Sequence, residues 1–245
     1  MGNGAYQVEV AADTLQSCLE AQRGGASRVE LCTGLSTGGL TPSAALVSMA
    51  RKHLSIPLYT LIRPREGDFV YDHLEISLML EEIDHMKSLN SNGIVCGALN
   101  PDGTVNEEAT REMVLRSAPL PVTFHRAFDV TPSQPEALEA IVRAGCTRIL
   151  TSGGKPTAWD GRDSIRKLVR QAGGRIVILP GGRVDINHLE ELVNAGCTEV
   201  HLSGRMKVAS GLSSDLYEMD YHQTDHSVIR SVVDILSQLS VESNH

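Results

Sequence analysis

Aromatic residues are scarce in this chain, at 4% of its 245 residues with a single Trp. A core must therefore come mainly from Val, Ile, Leu and Ala, and a hydrophobic content of 41% supplies them. Runs of Lys and Arg are missing, and the formal net charge is −8. That balance argues against nucleic acid or an anionic membrane surface as the main partner, while leaving room for one local basic pocket. No apolar stretch approaches the roughly 20 residues a membrane-spanning helix needs. No signal-type segment precedes Val8, so a cytoplasmic location is expected, or a nuclear one in a eukaryotic cell. The five cysteines show no CxxC or CxxxC spacing, as expected of free thiols in a reducing compartment. No GxGxxG follows the first apolar segment, which removes the usual dinucleotide signature.

What is present is repetition. AGCTRILTSG at 144–153 returns as AGCTEVHLSG at 195–204, and more loosely as GGASRVELCTG at 24–34 and SNGIVCGAL at 91–99. Each copy reads as a helix-ending glycine, a short turn, an apolar strand and a small or polar residue. Eight strands fit this pattern: Gln7–Ala11, Arg28–Cys32, Leu58–Arg63, Gly93–Leu99, Pro121–His125, Arg148–Ser152, Arg175–Pro180 and Glu199–Ser203. Amphipathic segments lie between them, for example at 73–92 and 185–195, and a final helix is expected over Asp225–Leu239. Asp13, Thr41 ahead of Pro42, and Thr224 are plausible N-caps. Strands alternating with helices imply a parallel sheet, and eight such units close a (β/α)₈ TIM barrel, an α/β fold. No linker divides the chain, so one domain spanning 1–245 is expected, with flexible ends at 1–6 and 241–245.

Strand parity then locates a site. Val8 and Val10, Val29 and Leu31, Val122 and Phe124, and Val200 and Leu202 suit the layer beneath the helices. Glu9, Glu30, Cys32, Arg63, His125 and His201 are left pointing into the barrel. Unpaired buried charge costs several kcal/mol, so these groups either neutralise one another as a plug or line a pocket. Their position near strand C-termini, where barrel enzymes place their chemistry, favours the pocket. Glycine-rich turns follow strands seven and eight, LPGGR at 179–183 and HLSGR at 201–205. Gly181, Gly182 and Ser203 can present backbone N–H groups to an anion, with Arg183 and Arg205 in support; tight turns with solvated arginines are the plainer alternative. The loop IRPREGDFVYD (62–72) adds Arg65 and Asp68 as candidate binding residues, with Phe69 and Tyr71 as a lid or an oligomer contact.

VELCTGLSTGGLTPS (29–43), IRPREGDFVYD (62–72), VTFHRAFD (122–129), ILTSGG (149–154) and the ILPGG and EVHLS segments together resemble the signature blocks of CutC proteins. The resemblance runs in order from about Val8 to about Ser203. It implies a TIM barrel, a cytoplasmic location, a homodimer or homotetramer, and a link to copper homeostasis with Cu(I) binding. Three positions depart from that pattern: Ala11 where relatives carry Cys, Arg183 after strand seven, and a shorter segment after Ser203.

Cu(I) prefers thiolate, thioether and imidazole ligands. Cys32 is the candidate ligand, completed by His125, His201 or a second copy's Cys32; a small packed residue is the alternative. His222 and His226 also have the i, i+4 spacing of a helical metal pair. The rival function is a TIM-barrel enzyme of lyase, isomerase or hydrolase type acting on a small anionic or phosphorylated metabolite. Glu30 or His125 would then be the general base, His201 the general acid and Arg63 the anion clamp.

Overall fold

The computed structural model describes residues 6–211, 216 and 220–242. Eight parallel strands alternate with helices: β1 Gln7–Ala12, α1 Leu15–Gly24, β2 Arg28–Leu31, α2 Ala44–His53, β3 Leu58–Leu61, α3 His73–Ser88, β4 Gly93–Cys96, α4 Glu107–Ser117, β5 Val122–Phe124, α5 Gln134–Ala144, β6 Arg148–Thr151, α6 Arg162–Ala172, β7 Val177–Pro180, α7 Leu189–Asn194 and β8 Glu199–Leu202. The sheet runs β7-β6-β5-β4-β3-β2-β1-β8, and β7 touches β8 at the seam, so the strands curl into the expected barrel. A β9 (Arg205–Val208) and β10 (Tyr221–Thr224) hairpin then leads into α8, His226–Glu242.

The parity assignment holds. Val8, Val10, Val29, Leu31, Val122, Phe124 and Val200 pack with Leu138, Ile141, Ile165, Leu192 and Val232 in one apolar layer between sheet and helices. A separate small cluster of Cys32, Tyr59, Leu61 and Val95 occupies the barrel interior. The two repeat glycines, Gly145 and Gly196, take φ of 96° and 95°, which a side chain would disfavour.

Several local expectations are corrected. The N-cap of α1 is Thr14, whose side chain accepts from Ser17 N; the Asp13 carboxylate instead reaches Leu35 N and Arg205. Ser43, not Thr41, caps α2, because Thr41 is spent on Arg63 N and Glu82. At α8, Asp225 accepts from Ser227 N, while Thr224 donates to Ser203 O. His222 lies on β10 and His226 pairs with Glu20 at 2.7 Å, so the two do not share a helix face. Tyr6 packs against the core, and α8 runs to Glu242. Residues 1–5 and 243–245 lie outside the described residues.

Candidate functional site

The interior is built in polar layers. At the strand N-terminal end, Arg28 donates to both Glu9 and Glu199, the latter at 2.6 Å. Arg148 reaches Glu199 at 3.1 Å and the Tyr59 hydroxyl at 3.1 Å. Both guanidiniums sit over the Tyr59 ring, at 4.7 and 5.3 Å from its centre. A Cβ at Gly93 would fall 2.6 Å from that ring, so glycine is what lets Tyr59 lie across the barrel. Two arginines and two glutamates neutralise one another here, and this layer is the plug.

Above it, His201 Nδ1 donates to Glu9 Oε1 at 2.7 Å and lies 3.8 Å from Glu30 Oε2. Burial alone would raise the Glu9 carboxyl, but the His201 hydrogen bond and Arg28 outweigh it and hold it down at about 2. Glu30 has no such partner; burial, with the like charge of Glu9, pushes it up to about 7 despite His201. The imidazole of His201 moves up from its ordinary value: burial opposes the charge, but Glu30 and Glu9 overcome that penalty. The layer thus holds a fixed anion, an imidazole shifted toward its charged form and a carboxyl that titrates near neutrality.

At the strand C-terminal end the barrel opens into a cavity of about 520 Å³ lined by Glu30, Arg63, His125, Arg126, Asp129, Gly182, Arg183, His201, Ser203 and Arg205, with Phe69 and Leu150 among the apolar walls. Four arginines face two carboxylates in this lining, although the chain as a whole is acidic. Arg63 is buried, and its guanidinium donates to the carbonyls of Thr37, Gly39 and Gly67 but meets no carboxylate among the described residues. Its Nε is buried without a partner, as are Glu30 Oε2 and His125 Nε2. His125 Nδ1 accepts from Ala127 N at 3.2 Å, which places the proton of the neutral ring on Nε2. Burial, then the charge of Arg63, keeps this histidine neutral by lowering it to about 3.

The structure therefore brings Glu30, Arg63, His125, His201, Ser203, Gly182 and Arg205 to one cavity. Glu9 sits beneath it as the support of His201 rather than in the wall. Gly181 is also outside the wall; a Cβ there would meet Leu150 at 2.5 Å and the His201 ring at 3.2 Å, so its role is close packing. Arg65 and Asp68 face away, because Arg65 is clasped by Glu75 at 2.6 Å and by Asp68 at 3.0 Å. Strand parity, carried one step further toward the strand starts, would have caught Arg28 and Glu199. Nothing local announces Asp129. Its carboxylate accepts from Arg126, Thr151, Ser152 N and Gly154 N, tying the loops after β5 and β6 together across the rim.

The CutC family profile matches residues 6–206, which is most of the chain. The chain belongs to the CutC family. It is 44% identical over 237 residues to the family protein CutC of Xylella fastidiosa strain 9a5c, covering 94% of this chain and 89% of that one. Against the family protein CutC of Xanthomonas campestris pv. campestris strain 8004 the identity is 44% over 236 residues, covering 94% and 98%. A CutC crystal structure from Streptococcus agalactiae superposes with a TM-score of 0.77 at 32% identity, covering 81% of this chain and 98% of that one.

In this CutC protein Cys32 does point inward, as parity predicts, but it lies below the cavity surface. Its neighbours are Tyr59, Leu61 and Val95, and its Sγ donates to Ala12 O at 3.6 Å. Burial, with Glu30 and Asp13 adding to it, pushes the thiol far above its usual range. Among the described residues, the acidic and imidazole groups whose donor atoms come within 4.8 Å of one another are Glu9, Glu30 and His201; Cys32 is not among them. That oxygen-rich set suits harder ions than Cu(I). Complete burial of Cys32 also keeps it from a second copy's Cys32.

Proposed function

We propose that the barrel mouth binds a small anionic metabolite and moves a proton on it. The observation that carries this reading is Arg63: a buried guanidinium without a carboxylate partner among the described residues, in the wall of a cavity shared with Glu30. A buried cation without a counter-ion is costly unless a ligand supplies one. The cavity also falls within the roughly 300–1,000 Å³ of small-molecule sites.

In this reading Arg63 draws the anionic group into place. Glu30, with a carboxyl that titrates near neutrality, takes or returns the proton, since a base works best when its pKa lies close to the working pH. His201, anchored on Glu9 and shifted toward its charged form, favours the ionised form of Glu30. The Nε2–H of neutral His125 is a hydrogen-bond donor to an oxygen that gains negative charge. The test is mass spectrometry of small molecules retained by the purified protein, compared with an Arg63→Met variant. Anionic compounds enriched on the wild type and lost from the variant support the reading; a neutral or cationic set overturns it.

A copper-homeostasis role is the second reading. It comes from the family, whose Streptococcus agalactiae member carries a copper-homeostasis name. The feature of this chain that favours it is the inward placement of Cys32. The lone protonated thiol and the oxygen-rich neighbours do not make a Cu(I) site by themselves, so this reading stands on a measured loss of copper binding in Cys32→Ser.

A further inference from the structure

We propose that the ligand of this cavity carries an anionic group at each end, a phosphate seated on the loops after β7 and β8 and a second acid group drawn to Arg63. This rests on the anionic-ligand reading above and narrows it to a class, short phosphorylated acids.

The cations of the cavity lie on opposite sides of it. Arg63 follows β3 and is clasped by the loops after β2 and β3, through Thr37, Gly39 and Gly67. In the strand order of the sheet, β7 lies four positions from β3, which is diametrically across a ring of eight. That far side holds the other arginines. Arg126 bonds Ser152 at 2.9 Å, and its guanidinium carbon would lie 3.2 Å from a Cβ on Gly182. Arg183 follows directly, and Arg205 approaches from beyond β8, 3.3 Å from Asp13. A molecule with an anionic group at each end engages both sides at once.

The two ends differ in what they offer. At Arg63 three of the five guanidinium N–H groups are taken by the carbonyls of Thr37, Gly39 and Gly67, which leaves Nε–H and one Nη2–H, a pair that suits a carboxylate. The far end offers several donors. Gly182 and Arg183 take successive positive φ values of 97° and 51°, bending the chain sharply at the rim. The backbone N–H groups of Gly182, Arg183, Ser203 and Gly204 make no hydrogen bond to another described residue. Unpaired N–H groups on the seventh and eighth loops, backed by guanidiniums, are the arrangement with which this type of barrel receives the three oxygens of a phosphate.

The experiment is calorimetric titration of the full chain with inorganic phosphate, with acetate, and with phosphonocarboxylates of two to five carbons. The expected result is that phosphate binds weakly and that one chain length binds about tenfold or more tightly than phosphate, because joining two groups makes the second contact intramolecular. Arg63→Met should reduce that best ligand to the level of phosphate while leaving phosphate binding intact; Arg183→Met should weaken both. If every phosphonocarboxylate binds no better than phosphate, the two-ended ligand is refuted and the single-anion reading survives. If no anion binds at all, the anionic-ligand reading itself falls. Should Arg63→Met fail to fold, the dependence on chain length in the wild type decides the matter alone.

Discussion

His201 stands 2.7 Å from Glu9, and that contact joins the closed ionic floor of the barrel to its open mouth. Below it every charge has a partner. Above it Glu30 makes no hydrogen bond at Oε2 and has His201 only at 3.8 Å, and Arg63 meets no carboxylate among the described residues; the expected consequences follow from that asymmetry.

Glu30 should make the protein less stable as pH rises. Its folded value is raised to about 7, so between the ordinary carboxylate range and neutrality the folded state holds a proton that the unfolded state has released. Stability from this group is full at low pH and is lost as pH climbs through 7. His201, raised as well, acts in the same direction. Melting temperatures of wild type and Glu30→Gln should therefore diverge from pH 5 to pH 8, in favour of the variant. A constant difference would mean that Glu30 is not the titrating group.

Arg28 should be the costliest of the interior arginines to remove. Arg28→Met leaves Glu9 and Glu199 buried with one cation fewer, and breaking such a pair costs about 3–5 kcal/mol, readable by urea unfolding. Glu9, held at about 2, supplies stability above the ordinary carboxylate range that disappears as pH falls through 2. Loss of Arg28 should move acid unfolding to higher pH, and Arg28→Met with Glu9→Gln should recover part of the loss.

Gly93→Ala should destabilise by about 1–3 kcal/mol through overpacking, since the new methyl would meet the Tyr59 ring. Tyr59→Leu in the same chain should relieve the clash. The measured coupling in a double-mutant cycle checks the contact, and additive effects would disprove it.

Asp129→Ala should remove the carboxylate partner of Arg126 and leave Ser152 N and Gly154 N without their acceptor. A cost of about 1–3 kcal/mol is expected for unsatisfied groups, together with faster amide exchange confined to the loops after β5 and β6. Unchanged exchange there would show that other contacts hold the rim.

Cys32→Ser and wild type should take up Cu(I) equally in an anaerobic competition assay, because the thiol is held protonated in an apolar layer. Uptake abolished by the substitution would establish the copper reading instead.

Sequence alone was enough for the barrel and for the inward face of the strands that carry Glu9, Glu30, His125 and His201. Hydrophobic alternation is a local property: burying Val8 and Val10 on the helix side leaves Glu9 no choice but the interior. Glu30, His125 and His201 were legible for the same reason. Pairing was not legible, because it depends on how strands distant in the chain are staggered around the ring. Only the folded barrel sets Glu9 against Arg28 and His201 while leaving Arg63 without a carboxylate. Only it turns Arg65 toward Glu75 and gathers the loops after β5 and β6 around Asp129. Side-chain direction follows from the backbone period of two, whereas charge neutralisation follows from three-dimensional distance.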